Sequence, residues 1–183
     1  MASPQARERL LEAAIEHALR EGIVDLSLRE IAAAIGTSHR MLIYHFGSRE
    51  GLLVAVVREV ERRQRDALAE TTSVAGALAN WKRLAHPSLH PQERLFFEIY
   101  AHALLGRPGT EGFLEEVVDC LLSQLVDAMT AAGFGGSAAR AQARLGVAVT
   151  RGLLLDLLAT GDVAGTTQAF ELFMAMFEPH VTE

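Results

Sequence analysis

The apolar residues of this sequence recur with the period of an α-helix, and no segment shows the sustained alternation of a strand. Leu11, Ile15, Ala18 and Leu19, for example, form one stripe of the first segment. Glycine and proline interrupt this pattern at short intervals, which ends one helix and begins the next. We therefore predict an all-α fold of about nine helices. Three short helices lie before residue 48, a long one covers 48–72, and five more cover 74–85, 91–105, 110–132, 137–159 and 163–178.

The second and third helices are short and lie close together in the sequence. Ser27 followed three residues later by Glu30 forms a capping box, which opens the second helix. Ser38 can cap the third helix, whose inward residues are expected to be Leu42 and Phe46. Only a few residues around Gly36 separate the two helices, and this spacing is typical of a helix-turn-helix.

Charge is unevenly distributed along the chain. The formal net charge of −6 gives no general attraction to nucleic acid. Basic and acidic residues nearly balance up to Arg65, whereas acidic residues outnumber basic ones about two to one beyond it. The segment from Ile31 to Arg49 contains no Asp or Glu, and its histidines and arginines supply hydrogen-bond donors. Such a surface would tolerate a polyanion.

The third helix therefore suggests contacts with DNA. A recognition helix presents its first exposed side chains to the bases, which here makes Arg40 a partner for guanine, His39 for a purine N7 and Met41 for a thymine methyl. Later side chains and the start of the next helix suit phosphates. For each residue alone, solvation or packing is the favoured explanation. Together we predict DNA contacts from Arg29, Ser38, His39, Arg40, Met41, Tyr44, His45, Ser48 and Arg49.

The run "SLREIAAAIGTSHRMLIYHFGSREGLL" resembles the DNA-binding segment of the TetR family of bacterial transcriptional repressors. The positions that match the family pattern are Ile31, Ala32, Gly36, Ser38, Leu42, His45, Phe46, Ser48, Glu50, Leu52 and Leu53. Two positions depart from it: Ile43 stands where the family usually has a tyrosine that contacts phosphate, and Arg40 stands where glycine is common. Arg49 takes the place of the usual lysine and keeps its charge.

The resemblance implies a homodimer that binds a palindromic operator, represses transcription and responds to a small-molecule effector. It also implies two domains, a helix-turn-helix DNA-binding domain in 1–47 and a helical effector-binding and dimerisation domain in 48–183, connected by helix 48–72. For the effector pocket, with a preference for an apolar or aromatic ligand, we expect Trp81, His86, Phe96, Tyr100, His102, Cys120 and Gln124.

The last two helices are very apolar and either complete the core or form an oligomer interface. An interface is favoured, because the preceding helices already offer partners for a core. In a family dimer the last two helices pair as a four-helix bundle. The residues expected at this dimer interface are Leu145, Val149, Gly152, Phe170, Phe173 and Phe177.

The remaining features indicate a soluble cytoplasmic protein. Cys120 is the single cysteine, so no intramolecular disulfide is possible and a reducing compartment is expected. The N-terminus lacks the pattern of a signal peptide, and no segment reaches the roughly 18 uninterrupted apolar residues of a membrane span. We expect no metal and no cofactor.

Two alternatives stay open. A helical dimerisation or scaffold protein without DNA affinity would share the helical pattern. An enzyme or metal protein would use His86, His90 and His102, but Pro87 and Pro91 interrupt the helical turn that would bring the first two rings together. No glycine-rich phosphate loop, nucleophile elbow or zinc motif supports catalysis.

Overall fold

The computed structural model describes residues 4–23, 25–68, 74–131 and 133–176, which contain α-helices and no strand. The nine helices of these residues confirm the predicted all-α class. None of them is both long and apolar enough to cross a lipid bilayer. The helices are α1 Pro4–Glu21, α2 Leu28–Ala34, α3 His39–Phe46, α4 Arg49–Leu68, α5 Val74–Leu84, α6 His90–Leu104, α7 Phe113–Ala131, α8 Gly136–Thr160 and α9 Val163–Ala175, with a 3₁₀ turn at Pro87–Leu89.

Local capping fixes the ends of α2 and α3. The Ser27 hydroxyl accepts the Glu30 amide N–H at 3.3 Å, and the Glu30 carboxylate accepts the Ser27 amide N–H at 2.8 Å, which confirms the capping box. The Ser38 hydroxyl accepts the Met41 amide N–H at 3.2 Å. Gly36 and Gly47 follow the two helices with φ of 69° and 78°, a conformation that favours glycine.

The start of α7 differs from the prediction. We expected this helix to begin at residue 110, but it begins at Phe113. Gly109 and Gly112 adopt φ of 88° and 72°, so this stretch forms turns and not a helix. The hydroxyl of Thr110 donates to the carbonyl oxygen of Arg107 at 2.6 Å and holds the turn. The end of the last predicted helix, at residue 178, lies outside the described residues.

The helices pack into two compact units. The N-terminal unit comprises Met1–Arg65 and Pro91–Val117, and the C-terminal unit comprises Asp66–His90 and Val118–Glu183. The first part of α4 and nearly all of α6 therefore pack with the helix-turn-helix. This division describes packing, and the functional boundary after residue 47 stays a prediction.

The core of the N-terminal unit is built from the apolar faces that the sequence pattern predicts. Ile15 of α1, Ile31 of α2, Leu42 of α3, Leu53 of α4 and Ile99 of α6 are all fully buried in one cluster. Burying each such side chain stabilises the fold by about 1.5–3 kcal/mol before entropy is counted. The core therefore fixes α3 on its inner side and leaves its other side to solvent.

The C-terminal unit is organised around Trp81. Its indole is buried and stacks on Phe170 with the ring centroids 4.8 Å apart and the planes 11° apart. Its Nε1–H donates to the hydroxyl of Thr167 at 3.0 Å. This arrangement satisfies the one polar atom of the buried indole and joins α5 to α9.

Candidate nucleic-acid interface

The outward side of α3 carries the residues predicted to contact bases. His39, Arg40 and Met41 are exposed in its first turn, and Tyr44 is 60% exposed one turn later. Leu42 is buried on the opposite side, which sets the rotation of the helix. The structure therefore brings the predicted base-contacting residues together on one exposed surface.

The exposed side of α3 is free of neighbouring carboxylates in the sequence. No Asp or Glu occurs between Ile31 and Arg49. The nearest preceding acid, Glu30, is engaged in the capping box, and hydrogen bonds from Ser27 hold the pKa of its carboxyl below the ordinary value. Arg29, beside it, is exposed at the start of α2. The described donors can thus face a polyanion without a carboxylate among them.

Ile43 is a surface residue that sequence analysis did not include among the DNA contacts. It is 40% exposed and lies one turn after His39 and Arg40 on α3. Ile43 follows Arg40 by three residues and His39 by four, and this helical spacing predicts that it lies on the same face. With Met41, the exposed Ile43 adds an apolar side chain to a surface whose other residues are hydrogen-bond donors.

His45 and Ser48 occupy different environments from the exposed residues of α3. The Nε2 atom of His45 is buried, and its ring packs edge-on against Tyr44 with the centroids 5.1 Å apart. The hydroxyl of Ser48 accepts the Gly51 amide N–H at 2.9 Å, which caps α4. Both side chains therefore have roles in local structure at the positions where we predicted phosphate contacts.

Arg49, for which we predict a phosphate contact, makes several contacts within the chain. Its Nε–H donates to the carbonyl oxygen of Leu26 at 2.8 Å. Its guanidinium also lies 3.7 Å from the Glu98 carboxylate and 3.8 Å from that of Glu50. The side chain is 23% exposed. The guanidinium therefore interacts with a carbonyl oxygen and two carboxylates of its own chain.

The seven residues predicted to form an effector pocket do not lie in one unit. Phe96 and Tyr100 pack together in the N-terminal unit with ring centroids 5.7 Å apart, and His102 follows them on α6. The other four belong to the C-terminal unit. Trp81 is a core residue there, His86 caps the 3₁₀ turn, Cys120 is half-buried and Gln124 is exposed.

A small apolar cavity lies in the N-terminal unit between α1, α4 and α6. Its volume of about 10 Å³ is enough for about one water molecule. Val56, Val60 and Leu95 are among its lining residues, and Phe96 is the member of the predicted pocket set that lines it. Within the described ranges, no group of three or more His, Cys, Asp or Glu side chains is placed to hold a metal ion.

The residues predicted for a dimer interface have mixed environments. Leu145 and Gly152 are exposed on α8, and Val149 between them is half-buried. Phe173 is half-buried on α9. Phe170, in contrast, is buried in its own chain against Trp81, so its side chain completes the core of the C-terminal unit. Phe177 lies outside the described residues.

Comparison with known sequences identifies the N-terminal segment. Residues 10–56 match the family described as bacterial regulatory proteins, tetR family. A 73-residue stretch is 32% identical to the HTH-type transcriptional regulator BetI of Stenotrophomonas maltophilia and covers 40% of this chain. The match spans 37% of the length of that relative.

Comparison with solved structures extends the similarity in fold to nearly the whole chain. A transcriptional regulator from Rhodococcus sp. Rha1 has a TM-score of 0.74 at 19% identity, covering 94% of this chain and 95% of its own. A protein from Saccharomonospora viridis, solved in complex with choline, has a TM-score of 0.71 at 22% identity, covering 94% and 97%. The similarity to the tetR family of bacterial regulatory proteins therefore covers residues 10–56, and the solved structures show that nearly the whole chain shares their fold.

Proposed function

We propose that this protein is a DNA-binding transcriptional regulator that binds a two-fold symmetric operator as a homodimer and acts as a repressor. The observation that carries the proposal is the outward side of α3, where exposed donors stand in a segment without a carboxylate. The match of residues 10–56 to a family of regulatory proteins supports a regulator and not an enzyme.

The first turn of α3 supplies the proposed contacts with bases. Arg40 can donate two hydrogen bonds to O6 and N7 of guanine, which is a common specific contact in the major groove. His39 suits a purine N7, and Met41 suits a thymine methyl. Tyr44 and Arg29, both exposed, are the proposed contacts with the backbone beside these bases. In this proposal one subunit binds one half-site, since a dimer with two-fold symmetry requires a symmetric operator.

Exposed apolar residues on α8 and α9 support the proposed dimer. Leu145 and Leu155 are 44% and 54% exposed on α8, and Leu172 and Met176 are 68% and 73% exposed on α9 and directly after it. Large apolar side chains concentrated on two neighbouring helices favour burial against a second copy. The proposed interface therefore contains Leu145, Val149, Gly152 and Phe173 from the predicted set, together with these additional residues.

The proposed effector is a small molecule. The Saccharomonospora viridis protein was solved with choline, which shows that a protein of this fold can hold a small organic cation. We propose that the effector binds among the helices of 48–183 and changes the affinity for the operator. Choline is therefore the first probe to titrate.

Selection of bound sequences from random duplex DNA tests the proposed function. We expect the purified protein to enrich an inverted repeat at near-physiological salt. Arg40→Ala should relax the preference at one position of each half-site and weaken binding to the selected operator by about 1–3 kcal/mol. Lys82→Ala, on an exposed residue of α5, is a matched control that also removes one positive charge. Enrichment of no sequence would reject the regulator, and an unchanged base preference in Arg40→Ala would reject the assigned role of α3.

A further inference from the structure

Arg49 joins three elements of the N-terminal unit. It is the first residue of α4 and follows the end of α3 at Phe46 by three residues. Its Nε–H donates to the Leu26 carbonyl oxygen at 2.8 Å in the connection between α1 and α2, and its guanidinium lies 3.7 Å from Glu98 on α6. The Arg49 side chain thus connects α6 to the segment before α2 and to the start of α4, which follows α3.

Glu98 is an unusual partner for Arg49, because burial of its carboxyl group disfavours the charged form. The side chain is 19% exposed, and its Oε2 has no hydrogen-bond partner among the described residues. Burial raises the pKa of Glu98 above its ordinary value, Asp25 adds to the rise, and attraction to Arg49 and His102 offsets it only in part. A carboxylate held in this way costs stability at neutral pH. Neutralising Glu98 is therefore not expected to lower the free energy of unfolding.

A second contact reaches the same turn of α4 from the loop after α6. A Cβ atom at Gly109 would lie 3.0 Å from the amide nitrogen of Gly51 and 3.1 Å from the hydroxyl oxygen of Ser48. The backbone of the loop therefore lies directly against the first turn of α4. Glu98 and this loop therefore both contact residues that immediately follow α3.

From these contacts we infer that Arg49 is a positioning residue, and that its ion pair with Glu98 couples α6 to the placement of the recognition helix. The inference rests on the proposed function, since it concerns the affinity for an operator. Arg49 acts through α3 and not through a contact with DNA.

The positioning role and a phosphate contact predict opposite effects of Glu98→Gln. If Arg49 contacted phosphate, removing a nearby carboxylate would free the cation and strengthen DNA binding. If Arg49 positions α3, the same change loosens the connection and weakens binding. The two roles also differ in the effect of Arg49→Gln on the salt dependence of binding. The loss of one phosphate contact reduces the magnitude of the slope of log affinity against log salt by about 0.9. The loss of a positioning residue leaves this slope unchanged.

The experiment is a double-mutant cycle with the full chain, using Arg49→Gln, Glu98→Gln and the double variant. Glu8→Gln, on an exposed residue of α1 in the same unit, is the control for the loss of one negative charge. Affinity for the selected operator is measured over a range of salt, and the free energy of unfolding is measured without DNA. We expect each single variant to weaken operator binding on the order of tenfold, with the double variant little weaker than either. We expect an unchanged salt slope and no loss of affinity in the control.

The unfolding measurements separate this inference from the proposed function. Arg49→Gln should destabilise the wild-type background more than the Glu98→Gln background, because it leaves a buried carboxylate without its cation only in the former. Glu98→Gln alone should not lower the free energy of unfolding near neutral pH. Additive effects on unfolding overturn the ion-pair coupling whether or not DNA binds. Stronger operator binding by Glu98→Gln, or a reduced salt slope in Arg49→Gln, overturns the positioning role, and failure of the wild type to select any DNA overturns the proposed function itself.

Discussion

Gly51 is the residue on which the junction between α3 and α4 depends. A Cβ atom at this position would overlap the carbonyl oxygen of Phe46, the last residue of α3. Because the obstacle is backbone, no side-chain rotation relieves the overlap. The two helices can meet at this angle only with a glycine at the position.

Gly51→Ala should therefore destabilise the chain, although alanine is the better helix former by about 1 kcal/mol. The steric conflict must displace α3 from α4, and overpacking of this kind costs about 1–3 kcal/mol. We expect a lower thermal midpoint together with weaker operator binding, measured by thermal unfolding and DNA titration. Gly146→Ala is the control, because a Cβ atom there meets no atom within 4 Å in the chain. Equal effects of the two substitutions would contradict the role of the junction.

At the scale of elements, a charged network connects α1 to α4. Arg63 of α4 forms an ion pair with Glu12 of α1, and Glu59 accepts hydrogen bonds from both Arg63 and Arg62. The hydrogen bond from Arg62, with a further contribution from Arg63, lowers the pKa of Glu59 to about 2. Arg63 and Glu12 are exposed and Glu59 is half-buried, so solvent screens much of the network and its contribution is modest.

This network predicts how the stability of the chain depends on pH. Because the pKa of Glu59 is lower in the fold than its ordinary 4.5, its stabilisation is present above pH 4.5 and is lost as the pH falls towards 2. Glu59→Gln should cost no more than about 1 kcal/mol at pH 7 and should flatten the loss of stability in acid. Urea unfolding between pH 2 and 7 measures both effects. Glu16→Gln, on an exposed residue of α1, should leave the curve unchanged, and an unchanged curve for Glu59→Gln would show that the network does not stabilise the fold.

At the scale of the whole molecule, the proposed dimer provides two copies of α3, one for each half-site. The proposed interface on α8 and α9 offers apolar side chains that the chain itself leaves exposed. A charge introduced there should oppose association without disturbing the core of the subunit.

Leu172→Glu should weaken the dimer, because it places a carboxylate in the proposed interface. Sedimentation should show a shift towards monomer, and the affinity for the full operator should fall towards that for a half-site. Leu104→Glu is the matched control, since Leu104 is 66% exposed on α6 and Leu172 is 68% exposed on α9. A Leu172→Glu protein that remains a dimer would reject this interface.

The sequence by itself determined the helices and the outward side of α3. Ser27, Glu30 and Ser38 act on backbone groups within three residues, and the apolar period places Leu42 inward. Such local interactions can be predicted because both partners are close in the sequence. The exposure of Arg40 and Met41 follows directly from the burial of Leu42.

Only the tertiary structure decided which side chains are available to a partner. Arg49 has the sequence pattern of a phosphate contact, yet its partners Leu26 and Glu98 lie 23 and 49 residues away along the chain. Phe170 has the pattern of an interface residue, yet Trp81 covers it. In both cases the deciding contact joins residues from different helices. Periodicity gives the face of a helix on which a side chain lies, whereas packing determines what that face meets.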